Sequence, residues 1–138
     1  MNVNYLKLDS IPVFEDGWQP VVDALSSGAF FVTTGEILIP DFTVAGKASG
    51  ETINDLGGMA NVELKAELEW TYPLSHMVVI SGDGDKTYRD RIDLSDTIEF
   101  GEREIQLEMD LSGRLWARIE IWDIARNGAF TQPVWVSD

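Results

Sequence analysis

The clearest pattern in the chain is a strict alternation of apolar and charged residues over positions 62–70. The apolar positions are Val62, Leu64, Ala66, Leu68 and Trp70. A period of two residues predicts a β-strand with one buried and one solvated face. Burying these five side chains yields roughly 7–15 kcal/mol, about the cost of ordering the backbone at ~1–2 kcal/mol per residue. The strand therefore requires a second layer that covers its apolar face.

Further strands are predicted where aromatic and β-branched residues cluster between turn signals. These stretches are 30–34, 37–44, 77–81, 85–94, 105–111, 115–122 and 130–136. Gly82-Asp83-Gly84 predicts a hairpin turn, as do Ser112-Gly113 and Asn127-Gly128 further on. Residues 46–58 are rich in glycine and polar residues and are predicted to form a loop.

One helix is predicted, over residues 16–28. Trp18, Val21, Val22 and Leu25 recur at helical spacing. Asp16 is placed to cap the N-terminus and Gly28 to end the helix in a left-handed conformation. At about three turns, such a helix is too short to be stable without packing against the rest of the protein.

Short strands at regular intervals predict a mostly β protein: an immunoglobulin-like antiparallel β-sandwich with one short N-terminal helix. The length of 138 residues fits a single domain. Within it, residues 1–28 form an N-terminal extension with the short helix, and residues 29–138 form the sandwich.

The charge balance limits the classes of partner that the chain is expected to bind. Lys and Arg total 10 against 24 Asp and Glu, which gives a net charge of −14. Such a chain repels polyanions, so nucleic acids and anionic membranes are not expected partners. Residues 1–10 lack the apolar core of a signal peptide, and no apolar run is long enough to span a membrane. The compartment is left open, and a longer parent protein would allow export.

The residues that metal or nucleophilic catalysis needs are scarce. The chain has one histidine, His76, and no cysteine, whereas zinc and di-metal hydrolase sites draw on several such ligands. No G-x-S-x-G motif presents a serine nucleophile. We expect no catalytic residue, no metal site and no cofactor, and we expect His76 to lie in a loop or at a strand edge.

Asp83, Asp85 and Asp90 surround the predicted hairpin turn and suggest a calcium site. The EF-hand pattern fails because Tyr88 and Leu94 occupy the positions of its glycine and its bidentate glutamate. Aspartate and glycine are also common turn residues. A turn with solvent-facing carboxylates and no metal is the favoured interpretation, and a weak calcium site is the alternative.

The strand at 115–122 has an unusual second face, which carries Trp116, Arg118, Glu120 and Trp122. Outward tryptophans form either a platform for a sugar or a contact with another element. Trp116 and Trp122 lie about 20 Å apart, at ~3.3 Å per residue, which is wide for a sugar platform. We therefore expect packing, with the helix that bears Trp18 as the cover, and a loss of ~3–5 kcal/mol for Trp116→Ala.

Two parts of the chain resemble the C-terminal domain of PHP-type metallohydrolase-like proteins of the CehA/McbA group. The first part is VDALSSGAFFVTTGE at 22–36 with FTVAG at 42–46, and the second is ARIEIWD at 117–123 with NGAFTQPVWV at 127–136. With the strands between them, the resemblance covers nearly the whole chain from Trp18 onward. It implies a β-sandwich that follows a histidine-rich metal-binding domain. None of that domain's ligands has a counterpart in this sequence.

The leading hypothesis is therefore a non-catalytic accessory β-sandwich that packs against a metallohydrolase-like domain of a larger protein. The alternative is a carbohydrate- or ligand-binding module that uses surface tryptophans. The candidate interface or ligand-binding residues are Trp116, Arg118, Glu120, Trp122 and Trp18.

Overall fold

The computed structural model describes residues 1–56 and 61–137. Over these ranges the protein is mostly β, with two sheets and one α-helix. The helical elements are a 3₁₀ turn at Phe14–Asp16 and helix α1 at Gln19–Ser27. The strands are β1 (Val3–Leu6), β2 (Phe30–Thr33), β3 (Ile37–Val44), β4 (Lys47–Ala48), β5 (Thr52–Ile53), β6 (Asn61–Trp70), β7 (Leu74–Gly82), β8 (Thr87–Asp93), β9 (Gly101–Asp110), β10 (Trp116–Asp123), β11 (Gly128–Thr131) and β12 (Val134–Val136).

The strand order is that of an immunoglobulin-like sandwich. One sheet has the order β4-β3-β6-β9, and the other runs β1-β2-β11-β10-β7-β8. Among its crossings from one sheet to the other are those between β6 and β7, between β8 and β9, and between β9 and β10, as in immunoglobulin-like folds. The pairs are antiparallel except β5 with β12, which are parallel at the end of the second sheet. The predicted fold class is confirmed.

The core lies between the two sheets, where the alternating positions of β6 meet those of β7 and β10. All five apolar side chains predicted on the buried face of β6 are at most 7% exposed. Across from them, Ala117, Ile119 and Ile121 of β10 are fully buried, as is Met77 of β7. The second layer that the β6 pattern required is therefore supplied by β7 and β10.

The helix begins later than predicted. Asp16 lies in the 3₁₀ turn, where its carboxylate accepts a hydrogen bond from the Val13 N–H at 3.0 Å. Gly17 then takes a φ of +60°, which separates the turn from α1. The predicted cap at Asp16 is wrong for this reason. The predicted end is confirmed, because Gly28 is left-handed with a φ of +79°.

Three features of the sheets were not predicted from the sequence. Residues 3–6 form β1, which pairs with β2 at the edge of the larger sheet. The loop predicted at 46–58 contains β4 and β5, and its last two residues lie outside the described residues. The last predicted strand is divided into β11 and β12, with Pro133 between them, because proline has no N–H to donate to a sheet.

Candidate functional site

The outer face of β10 brings four of the predicted residues together. The side chains of β10 point alternately into the core and away from it. Those in the core are Ala117, Ile119 and Ile121. The outward positions are Trp116, Arg118, Glu120 and Trp122. β10 is a central strand, paired with β7 on one side and with β11 and β12 on the other. These side chains therefore stand in the middle of the sheet.

Each outward tryptophan lies over a glycine of a neighbouring strand. Trp116 pairs with Gly82 of β7, and a β-carbon at Gly82 would lie 2.6–2.7 Å from three atoms of the indole. Trp122 pairs with Gly128 of β11, where a β-carbon would lie 2.9–3.2 Å from three ring atoms. For Trp122 the three atoms belong to the six-membered ring, whereas for Trp116 they lie along one edge of the indole. Both indoles therefore pack closely against the backbone of the paired glycine.

A charged network occupies the space between the two tryptophans. The Arg118 guanidinium donates to Glu120 Oε1 at 2.6 Å, and Arg89 of β8 donates to Glu120 Oε2 at 3.2 Å. The Arg118 guanidinium carbon also lies 5.7 Å from the centre of the Phe130 ring, within cation–π range. On β7 beside this network, Ile80 is buried although it points outward. The network thus covers apolar surface and keeps its own charges paired.

Two aromatic residues on this face were not predicted from the sequence. Trp135 of β12 pairs directly with Trp116, and Phe130 of β11 pairs with Glu120. Trp135 is 46% exposed. With Trp116, Arg118, Glu120 and Phe130 it lines a depression of about 300 Å³. The alternation of Trp135 with the buried Val134 and Val136 was a signal that it faces outward. Its position beside Trp116 depends on the pairing of β12 with β10.

Trp18 does not belong to this face, and the predicted cover of the tryptophans by the helix is wrong. Trp18 precedes α1 and is 80% exposed. The helix packs beside β1, three strands away from β10 in the sheet, a distance of about 14 Å at ~4.8 Å per strand. The helix therefore does not cover the outer face of β10, and Trp18 is exposed to solvent.

The apolar side of α1 and the turn before it form a second exposed surface, which we call the α1 face. Its residues are Phe14, Trp18, Val22 and Leu25. Phe14 is 96% exposed, and Val22 and Leu25 are more than 40% exposed. By contrast Ala24, on the opposite side of the helix, is buried. The helix is thus held on the sandwich by its small residues and presents its large ones outward.

A cavity opens beside β1, the strand against which α1 packs. It measures about 640 Å³ and lies between the β1–β2 edge of one sheet and β3 of the other. Phe30, Phe31, Ile39 and Phe42 contribute to its largely apolar wall. Lys7, the residue after β1, forms an ion pair with Asp41 at 3.0 Å. The cavity is therefore lined by the two sheets and the segment after β1, and not by residues of the α1 face.

The outer face of the smaller sheet is strongly acidic. Three pairs of glutamates stand directly opposite each other on β6 and β9: Glu63 with Glu108, Glu67 with Glu104, and Glu69 with Glu102. Lys65 lies among them and bonds Glu104 at 2.7 Å. The hydrogen bond and charge of Glu104 raise the pKa of Lys65 above its ordinary value. Like charges at opposed positions are unfavourable, so this face carries a repulsion that Lys65 offsets only in part.

The hairpin turn between β7 and β8 is confirmed, but Asp83 does more than face solvent. Asp83 Oδ1 accepts hydrogen bonds from the N–H groups of Asp85 (2.9 Å) and Lys86 (2.7 Å), and Oδ2 accepts one from the Tyr88 hydroxyl at 2.7 Å. The Tyr88 bond, with the two backbone bonds, lowers the pKa of Asp83 to about 2. The carboxylate therefore ties the turn together.

His76 lies within β7 and not at a loop or strand edge, so that expectation is wrong. β7 is paired with β8 on one side and β10 on the other, and His76 stands between Asp93 and Trp122. Its Nδ1 lies 3.0 Å from the Ser75 hydroxyl oxygen. Partial burial, and secondarily the charge of Arg91, lower the pKa of His76 below its ordinary value.

Residues 1–56 and 61–137 hold no group of three or more His, Cys, Asp or Glu side chains suited to a metal ion. Over the same ranges, no helix has the length and apolar character needed to cross a bilayer.

Comparison of the chain with protein-family models, with curated proteins and with solved structures finds no match.

Proposed function

We propose that this chain is a non-catalytic accessory β-sandwich that docks, through the α1 face, onto a metallohydrolase-like domain of a larger protein. The observation that carries the proposal is the exposure of four large apolar side chains on one short segment. Contiguous exposed apolar surface of this kind marks a protein interaction site. Trp18 and Phe14 supply the large aromatic area that anchors interfaces.

The geometry of the helix favours a fixed docking surface and not a flexible tail. Trp18, Val22 and Leu25 are spaced by four and three residues, so they lie within one side of α1. Ala24 is buried on the other side, and the Ala29 N–H closes the helix end by donating to the Ala24 carbonyl at 2.9 Å. The apolar side chains are thus held on a fixed element, which lowers the entropy cost of binding.

The choice of partner rests on the resemblance to the CehA/McbA group. The resembling segment 22–36 begins inside α1 and continues into β2, so it includes part of the α1 face. In that group the sandwich follows a histidine-rich metal-binding domain. An exposed patch of aromatic and aliphatic side chains is suited to an apolar surface of that domain.

Calorimetry with a separately purified PHP-type metallohydrolase-like domain of this group tests the proposal. We expect saturable binding that the double variant Trp18→Ser, Val22→Ser weakens at least about tenfold, because it removes two central anchors. The matched control is Gln19→Ser, Asp23→Ser, which changes a hydrogen-bonded pair on another side of α1. Absence of binding, or equal weakening by both double variants, would contradict docking through the α1 face.

A further inference from the structure

We infer that the outer face of β10 and β12 binds a neutral oligosaccharide in the depression between Trp116, Trp135, Arg118 and Glu120. This site lies about three strands away from the helix and does not depend on the docking proposed above. From the sequence, the wide spacing of Trp116 and Trp122 was an argument against a platform for a sugar. Trp135 removes that objection because it stands directly opposite Trp116, where side chains begin about 5 Å apart.

The first requirement of such a site is a flat aromatic surface that a ligand can reach. A pyranose ring has a face of C–H groups that is apolar enough to stack on an indole. Trp116 packs against the backbone of Gly82, is half-buried, and lines the depression. Trp135, which is 46% exposed, supplies a second aromatic side chain beside it. The depression can therefore contact a sugar through more than one ring.

The second requirement is a set of oriented hydrogen-bonding groups between the rings. Arg118 carries five N–H donors in a planar fork, and its guanidinium is held in place by Glu120 and by the ring of Phe130. Glu120 is in turn held by Arg89. Side chains fixed in this way are suited to hydroxyl groups, which both donate and accept hydrogen bonds. A ligand gains these bonds with little loss of side-chain freedom.

Charge decides the class of sugar. The outer side of β7, β8 and β10 carries Arg89, Arg91 and Arg118 against Asp93 and Glu120, a nearly balanced set. The whole chain has a net charge of −14, so a polyanionic glycan would be repelled as it approached. A docked protein domain would remove water from the Arg–Glu network at a cost. A neutral sugar leaves the rim of that network hydrated.

Titration of the full chain with neutral hexasaccharides tests this assignment by calorimetry and by tryptophan fluorescence. The probes are β-1,4-linked glucose, xylose and mannose and α-1,4-linked glucose, with oligogalacturonate as the anionic comparison. We expect saturable binding of at least one neutral probe and weaker binding of the anionic one. Trp116→Ala and Trp135→Ala should each reduce affinity about tenfold. Ile98→Ala changes an exposed residue outside the depression and should leave affinity unchanged.

Circular dichroism establishes that each variant is folded before its affinity is compared. Trp122→Ala serves as a second control, because it removes an outward tryptophan of β10 that does not line the depression. The inference is overturned if no neutral probe binds the folded wild-type chain, or if oligogalacturonate binds more tightly. It is also overturned if Trp116→Ala weakens binding of the metallohydrolase-like domain, since this face would then be a protein interface.

Discussion

Trp70 lies over Gly101, its direct partner on the neighbouring strand, and the Trp70 indole N–H donates to the Ile98 carbonyl at 2.7 Å. The same tryptophan–glycine pairing occurs twice on the outer face of the other sheet. There Trp116 pairs with Gly82, and Trp122 pairs with Gly128. Glycine leaves room for the indole, and the indole covers backbone that glycine leaves bare. Trp70 is buried and its indole N–H is hydrogen-bonded, so its ring has less room to move aside. The outer rings have solvent to move into.

Alanine at the two glycines should therefore have different effects. Gly101→Ala forces a β-carbon into the buried Trp70 ring and should lower the free energy of unfolding by ~1–3 kcal/mol, as overpacking does. Gly82→Ala meets an outer ring that can lift away, so we expect a loss below about 1 kcal/mol together with a shift in tryptophan emission. Chemical denaturation measures both values. Equal losses would mean that Trp116 is as confined as Trp70.

The Asp83 turn should contribute stability that depends on pH. Its folded pKa of about 2 lies below the ordinary value of 3.8, so the contribution is present above pH 4 and is lost as the pH falls through 2. Asp83→Asn should be less stable than wild type at pH 7, and the difference should close between pH 4 and pH 2. Thermal unfolding across this range measures it.

Asp85→Asn is the matched control for this titration. It removes the same charge two residues away, and its side chain takes no part in the hydrogen bonds described for the turn. A pH dependence of Asp83→Asn that matches that of Asp85→Asn would show that net charge, not the three bonds of Asp83, causes the effect.

The acidic face of the smaller sheet should be sensitive to charge reversal. Glu102→Lys places a cation opposite Glu69 and should raise the melting temperature by about 1–4 °C, since an opposite-charge pair replaces a like-charge pair. Glu102→Gln removes the repulsion without adding attraction and should give a smaller rise. Added NaCl should reduce both differences because it screens exposed charges. Differences that persist in 1 M NaCl would point to a cause other than charge.

We expect the purified chain to hold no stoichiometric zinc, iron or manganese after dialysis, as measured by elemental analysis. The reason is its single histidine and its lack of cysteine. Calcium titration should likewise give no saturable heat in the micromolar range of sensor sites, because the Asp83 carboxylate is already engaged in the turn. A clear calcium isotherm that Asp83→Asn abolishes would restore the calcium interpretation.

Much of the sandwich was predictable from local pattern. The alternation in residues 62–70 identified the buried face of β6, and the turn residues between strands located the hairpin at Gly82-Asp83-Gly84. These features depend on neighbours in sequence, because side chains alternate at a period of two and tight turns need particular residues. The residues of β1 also alternate, with Val3 and Tyr5 apolar and Asn4 polar, but the run is short and its side chains are largely exposed, so the pattern did not identify a strand.

The sequence by itself also determined that α1 has an apolar side and that β10 carries Trp116, Arg118, Glu120 and Trp122 on its outer face. It did not determine what lies against either surface. Periodicity specifies the face on which a residue stands, while contact between distant residues depends on which strands pair and in what register. That register placed Trp135 beside Trp116, and helix packing beside β1 left Trp18 exposed. Only the tertiary structure decided these two outcomes.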